Sequence, residues 1–393
     1  MPFSAELQKK LADAKFIQPT PIQANTIPQA IAGKDIMATA QTGTGKTLAF
    51  LIPILEAHSR RAASHKVETL VLVPTRELAM QVHEQYEALH GKNMRPAALV
   101  IGGMPEKKQI QSLRSGANMV VATPGRLEDF LSRRLVDLTQ VSILVLDEAD
   151  RMLDMGFLPA IRRIVGALPK QRQTLCFSAT LEASVAGLVH DCMRNPVRVA
   201  LGSTLKPAET VELQAFETAT ADKIEVLRQL LYAEKGQALI FARTKRGTER
   251  IAKTLVRDGF SAAMIHGDRS QGQRTSALNG FDEGTFKVLV ATDLASRGLH
   301  VRDVAHVINY DLPTLPEDFI HRVGRTGRAG ARGIASTLVS GGEIVELRHM
   351  ERALKLRIER KTKEDIMFVR PPKPREKALE SRTLTALPGE IFT

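Results

Sequence analysis

Short apolar runs alternate with longer amphipathic stretches along this chain, and no other feature narrows its fold as much. In the first half the runs are "DIMATA" (35–40), "TLVLVP" (69–74), "AALVIGG" (97–103), "MVVATP" (119–124), "SILVLD" (142–147) and "TLCFSAT" (174–180). Apolar throughout rather than alternating, each reads as a parallel strand buried on both faces. Between them lie helical stretches such as "TRELAMQVHEQYEALH" (75–90) and "PGRLEDFLSRRL" (124–135). Strand and helix in turn predict an α/β fold, a mostly parallel sheet flanked by helices. After "GSTLKPAETVE" (202–212), which is small, polar and Pro-containing, the pattern resumes at "ALIFA" (238–242), "AAMIH" (262–266), "KVLVATD" (287–293), "AHVINYD" (305–311) and "ASTLVS" (335–340).

That break predicts one domain over 1–203, a linker over 204–212, a second domain over 213–362 and a basic, Pro-containing tail over 363–393. A length of 393 residues also exceeds what a single core comfortably serves. Past Gly342 a helix is expected, with Ile344, Leu347, Met350, Leu354 and Ile358 at helical spacing. Its basic residues Lys355, Arg357, Arg360, Lys361 and Lys363 suit a solvated face better than a nucleic-acid contact. The net charge of +12 favours a polyanionic partner, nucleic acid or an anionic surface. Two cysteines, Cys176 and Cys192, exclude a disulfide framework or a multi-cysteine zinc site and fit a reducing compartment. With no signal-like N-terminus and no run of ~18 apolar residues, a cytoplasmic protein that does not enter membranes is expected.

"AQTGTGKT" (40–47) follows the first strand and precedes the apolar "LAFLIPIL", the setting a phosphate loop requires. Gly43 and Gly45 let the backbone curl so that N–H groups face phosphate oxygens, with Thr42 before them and Thr44 between them. Lys46 places a cation on the β- and γ-phosphates, and the Thr47 hydroxyl can bind Mg²⁺. Ala40 replaces the first glycine of the common pattern.

The run "SILVLDEAD" then sets Asp147, Glu148 and Asp150 at a strand end, a costly cluster unless a cation compensates it. At the carboxyl end of a parallel strand, where open α/β sheets bind ligands, Asp147 would hold Mg²⁺ through water. Glu148 would orient or deprotonate the water that attacks the γ-phosphate and share in the metal site. Asp150 has candidate donors in the hydroxyls of Ser178 and Thr180, the alternative being a helix cap near Arg151.

In this order, "AQTGTGKT", "LDEAD" and "SAT" resemble the DEAD-box family of superfamily 2 RNA helicases, from about Phe16 to Gly333. The short flanks resemble a compact bacterial member such as the RhlE group. The resemblance implies two tandem RecA-like domains and RNA-dependent ATP hydrolysis. "FIQPTPIQ" (16–23) resembles the adenine-reading motif, in which Phe16 would stack on the base and Gln23 bond its edge; Lys15 stands where glycine is usual. "PTRELA" (74–79), Gly102–Gly103 and "TPGR" (123–126) resemble RNA-backbone contacts, implying Pro74, Thr75, Arg76, Thr123, Pro124 and Arg126 at phosphates. Such contacts read no bases.

In the second half "LIFARTKR", "HGDRSQGQR" and "VATDLASRGL" resemble further RNA- and ATP-facing motifs. They imply Arg243, where asparagine is frequent, with Gly267, Gln271, Arg274 and Thr292 on the strand, and Gly298 with His300 on the nucleotide. His300 stands where the family carries an aspartate toward the ribose, so a weaker or pH-sensitive grip on ATP is expected. "HRVGRTGR" (321–328) implies Arg325 and Arg328 as arginine fingers, with His321 and Arg322 coupling them to the first domain.

Each predicted domain carries half of one site, so ATP and single-stranded RNA together would close the cleft and turnover would depend on RNA. The expected activity is unwinding of short RNA duplexes with little sequence preference; an ATP-gated RNA clamp is the alternative, and a DNA translocase is disfavoured by the motif set. ATP and Mg²⁺ are the implied cofactors and RNA the implied partner, with ribosomal precursors or RNA-degradation assemblies as settings and a monomer as the working form.

Overall fold

The computed structural model describes residues 3–40, 44–60, 65–92, 94–179, 183–200, 210–234, 236–293, 304–327 and 332–366. The first half forms β1 (Ile36–Thr39), β2 (Thr69–Leu72), β3 (Ala97–Val100), β4 (Met119–Ala122), β5 (Ile143–Leu146), β6 (Gln173–Ser178) and β7 (Val197–Ala200). They pair side by side in the order β3-β4-β2-β5-β6-β1-β7. The second half forms β8 (Val211–Glu217), β9 (Ala238–Phe241), β10 (Ala262–Ile265), β11 (Val288–Ala291), β12 (His306–Asn309), β13 (Gly333–Val339) and β14 (Glu359–Lys361). Their order is β10-β11-β9-β12-β13-β8-β14. Every pairing in both sheets is parallel.

The unbroken apolar runs explain the layers. Along β5, Ile143 and Val145 enter one core with Phe50, Val71, Tyr86 and Phe177, while Leu144 and Leu146 enter another with Leu70, Leu72, Phe130 and Met152. Side chains alternate across a strand, so only a strand apolar at every position can serve two cores. Helices Lys46–Ser59 and Arg76–Leu89 close the first layer; Pro124–Ser132 and Leu158–Gly166 close the second. The second sheet repeats this division, with Leu239 and Phe241 on one side of β9 and Ile240 on the other.

Three strands depart from the sequence expectations. β7 is half exposed, β14 is "ERK", and β8 alternates polar with apolar and begins inside the stretch expected to link the domains. Each lies at or near a sheet edge, where burial is one-sided and a continuous apolar run is not needed. The helix expected through Ile358 ends at Leu354, because Lys355 takes a left-handed backbone (φ 52°) that turns the chain toward β14. Ile358 is nevertheless buried, and Ile366, in the stretch expected to be tail, packs into the second domain's core. Residues 204–209 of the expected linker and 367–393 of the expected tail lie outside the described residues.

Candidate active site

The phosphate loop ends in Gly45, whose φ of 92° only glycine adopts without strain. A Cβ there would also come 2.5 Å from Gln23 Nε2 and 3.0 Å from Thr20 Oγ1. That closeness is functional packing: Gln23 Nε2 donates to Gly45 O (3.0 Å) while its Oε1 accepts from Thr20 N (2.9 Å). One amide thus caps the helix Pro21–Ile31 and holds the loop. Beside it Phe16, 43% exposed, borders an apolar cavity of about 330 Å³ with Leu11, Gln23, Ile27 and Leu48. An exposed aromatic over a buried amide suits a planar, hydrogen-bonding base. Lys46 opens the next helix and is buried, its Nζ donating to Ala40 O at 3.1 Å; Thr47 follows, partly exposed.

β5 delivers Asp147 beside this loop, 2% exposed, with Oδ1 accepting from Glu148 N at 3.0 Å. Burial pushes its carboxyl up to about 6 against the pull of Lys46, with Glu148 and Asp150 adding to the push. Glu148 takes a left-handed backbone (φ 53°), an uncommon conformation for a side chain of this size. Burial would raise its pKa too, yet Arg151, Lys46 and Arg325 hold it at about 2. Arg151 does so directly, through an ion pair of 2.6 Å in which both side chains are nearly inaccessible. Asp150 Oδ2 accepts from Ala179 N at 2.8 Å, so it grips the "SAT" segment through its backbone.

From the second half, Arg325 is 3% exposed and close enough to lower the Glu148 pKa. His321 is near enough to feel the charges of Arg151, Asp150 and Glu148, and its pKa falls below the ordinary value, chiefly through burial and then Arg151. The two halves therefore meet at the acidic cluster. Arg322 differs from the expectation: among the described residues its partners all lie in the second half. Its guanidinium holds Asp293 with two bonds (2.5 and 2.6 Å), donates to Asn309 Oδ1 (3.1 Å) and Asp311 O (2.7 Å), and lies 5.0 Å over the Phe241 ring. It braces the second domain internally.

The residues expected on RNA sort into two groups. Thr75 caps the helix Arg76–Leu89 by accepting from Leu78 N, while Thr123 precedes the helix Pro124–Ser132 without a side-chain cap, with Pro74 just before the first and Pro124 at the start of the second. Arg76 lies over Gly102 and Gly103; a Cβ on Gly102 would meet Arg76 Nη2 at 3.1 Å, and Gly103 has φ 75°. Arg126 pairs with Glu106 at 3.2 Å. Thr292 is buried, Gly267 lies beside the Lys245 stem, and Arg243 donates to Leu312 O (3.2 Å) and Glu343 (3.3 Å). Gln271 and Arg274 behave differently from the expectation: both cross to the first half and share Glu77 Oε1, at 3.0 and 2.9 Å. They clasp the halves together.

Thr42, Gly43, Thr180, Gly298, His300 and Arg328 lie outside the described residues. The sequence reading passed over Arg151, Glu77 and Asp293. Arg151 follows Glu148 by three on a helix, a spacing that brings opposite charges together and was available as a signal. Glu77 sits inside "PTRELA", hidden by neighbours that fit a phosphate better.

The donor set fits Mg²⁺. Among the described residues no group of three or more His, Cys, Asp or Glu could hold a metal by itself, while the buried Asp147 lies within the influence of Lys46, whose neighbour Thr47 carries a hydroxyl. Mg²⁺ takes one or two carboxylates and completes its shell with water and phosphate. No helix among the described residues is long and apolar enough to cross a membrane.

Comparison with known proteins agrees with this geometry. Residues 20–188 match the DEAD/DEAH box helicase family and 222–330 the helicase conserved C-terminal domain. The DEAD-box ATP-dependent RNA helicase CshA of Geobacillus kaustophilus is 40% identical over 358 residues, covering 91% of this chain and 76% of that protein. DEAD-box ATP-dependent RNA helicase 40 of Arabidopsis thaliana is 46% identical over 340 residues, covering 84% of this chain but 31% of the plant protein. The chain thus spans about a third of that longer relative. Among solved structures, S. cerevisiae Dbp5 bound to RNA and ADP BeF3 superposes with a TM-score of 0.83 at 30% identity, covering 92% of this chain and 95% of the other.

Proposed function

The chain belongs to the DEAD-box family of ATP-dependent RNA helicases, and from that premise we propose that it is an RNA-stimulated ATPase that locally unwinds or remodels short RNA duplexes with little sequence preference. One observation carries the reading: Glu148, from the first half, feels Lys46 beside it and Arg325 from across the cleft, so a γ-phosphate between them would touch both domains. Neither half holds the whole set.

Phe16 and Gln23 would hold the base, and Lys46 with the Gly45 backbone the phosphates. Thr47 and Asp147 would hold Mg²⁺, aided by Glu148; the ion would supply charge neutralisation on the phosphates. Glu148 would take the proton of the attacking water, and Arg325 would stabilise the charge that develops on the transferred phosphoryl group. Arg76, Thr123 and Arg126 would grip the RNA backbone, so binding should weaken steeply with salt. Action as a cytoplasmic monomer, on ribosomal precursors or within RNA-degradation assemblies, belongs to the same proposal; the basic charge supports the RNA partner and the two buried free cysteines a reducing compartment.

Steady-state ATP hydrolysis with and without RNA, beside a duplex-displacement assay, tests this. Stimulation with displacement is expected. Stimulation alone would instead make the protein an RNA clamp, and an isolated N-terminal half as fast as the full chain with RNA would overturn the two-domain site.

A further inference from the structure

The aim of the Glu148 carboxylate is not set by its own backbone alone. Its φ of 53° and ψ of 52° place it at the corner between β5 and the helix Ala149–Asp154, and its N–H is tied to Asp147 Oδ1 at 3.0 Å. From that corner the carboxylate could swing toward Lys46 or fold back over the helix. It folds back. Arg151 Nη1 donates to Glu148 Oε2 at 2.6 Å, and this is the one ion pair of Arg151 among the described residues. The side chains are 5% and 7% exposed. An exposed pair at this spacing would be nearly worthless, whereas a buried guanidinium with one anionic partner strongly fixes that partner's rotamer. Glu148 Oε1 makes no hydrogen bond among the described residues, and His321 of the second half is near enough to feel the charges of both partners.

We propose that Arg151 is a positioning residue: by occupying Oε2 it leaves Oε1 as the one oxygen of Glu148 presented to the attacking water, and closure of the cleft over His321 seals that arrangement. The role rests on the ATP-hydrolysis reading above. It assigns a task to a residue outside the phosphate loop, the paired acids and the arginine fingers.

The test uses the full chain with Arg151→Met, Arg151→Lys, Glu148→Gln and the double variant Arg151→Met/Glu148→Gln, measuring RNA-stimulated kcat, KM for ATP, half-saturating RNA and binding of a fluorescent nucleotide. Loss of one charge-assisted hydrogen bond should lower kcat of Arg151→Met about 10- to 100-fold, with KM and nucleotide binding within about threefold. Arg151→Lys, which keeps one donor, should recover part of that loss. With Glu148 already neutral, Arg151→Met should cost less than about twofold more, since the two residues act as a unit. A kcat of Arg151→Met within about twofold of the parent, or additive losses in the double variant, would overturn the role. A loss confined to nucleotide binding would do the same, marking Arg151 as merely structural. A parent chain whose ATP turnover ignores RNA would instead overturn the ATPase reading itself.

Discussion

The two halves share one strand order and put it to opposite uses. Counted from the first strand of each, both sheets run third, fourth, second, fifth, sixth, first, seventh. The links at the strand ends repeat as well: Asp147 N donates to Leu72 O and Tyr310 N to Phe241 O, each at 3.0 Å, while Ala40 N meets Ser178 O at 3.1 Å and Thr218 N meets Val339 O at 3.0 Å. After the first strand each half offers a buried lysine at the start of a helix, Lys46 and Lys223. Lys46 donates to its own loop at Ala40 O. Lys223 is closed off, donating to Glu343 Oε2 at 2.7 Å and Tyr310 O at 3.2 Å. The same Glu343 carboxylate takes Ser340 N (3.1 Å), the Ser340 hydroxyl (3.2 Å) and Arg243 (3.3 Å). A carboxylate of the chain itself thus takes the second lysine, where under the ATPase reading the first lysine would take a phosphate. The fold supplies a crevice at the strand ends; whether it binds a ligand depends on whether the chain fills it.

Removing each lysine in turn is the strongest way to break this comparison. Lys46→Ala should cut RNA-stimulated ATP turnover by about 10²- to 10³-fold, with the urea midpoint nearly unmoved. Lys223→Met should do the reverse, costing about 2 kcal/mol in urea unfolding because Glu343 loses its nearer cation and keeps only Arg243 and Ser340, while turnover per folded molecule stays near the parent value. Equal losses of turnover from both would mean that the second crevice is also a ligand site.

Acid sharpens the contrast next. His306 on β12 is 2% exposed and burial holds its pKa at about 4, below its unfolded value of 6.5. The folded state therefore disfavours the proton: stability is complete above pH 6.5 and is lost as pH falls toward 4. Linkage gives about 2 kcal/mol of lost stability between pH 7 and 5. His306→Leu should flatten that slope in urea melts at the two pH values; an unchanged slope would acquit this histidine. The smallest effect concerns the clasp between the halves. Glu77→Gln should raise the RNA concentration for half-maximal ATPase about five- to tenfold, since Arg274 then loses its anion. No change would show that the clasp adds nothing to closure.

The chemistry of the first half was legible because it sits in contiguous motifs at strand ends: Lys46 and Asp147 lie where a phosphate loop and an acidic strand end predict them. Strands that serve two cores were legible from unbroken apolar runs, whereas Val197–Ala200 and Glu359–Lys361 at the edges carry no such signature. Contacts between distant segments were illegible for a different reason. Glu77 with Arg274, and Lys223 with Glu343, are ion pairs that only the folded chain brings together, and composition does not say which acid meets which base. Arg322 shows the converse, a residue whose motif suggested reach across the cleft and whose guanidinium is wholly taken up at home.

A sheet whose described strands all pair in parallel also sets a timetable for the newborn polypeptide. Ile36 finds one neighbour in Leu175 and the other in Val197, so the earliest strand to leave the ribosome waits for the latest before it is flanked on both sides. Until then its edges stand open to any passing chain, which makes slow maturation and a need for chaperones the expected companions of this architecture.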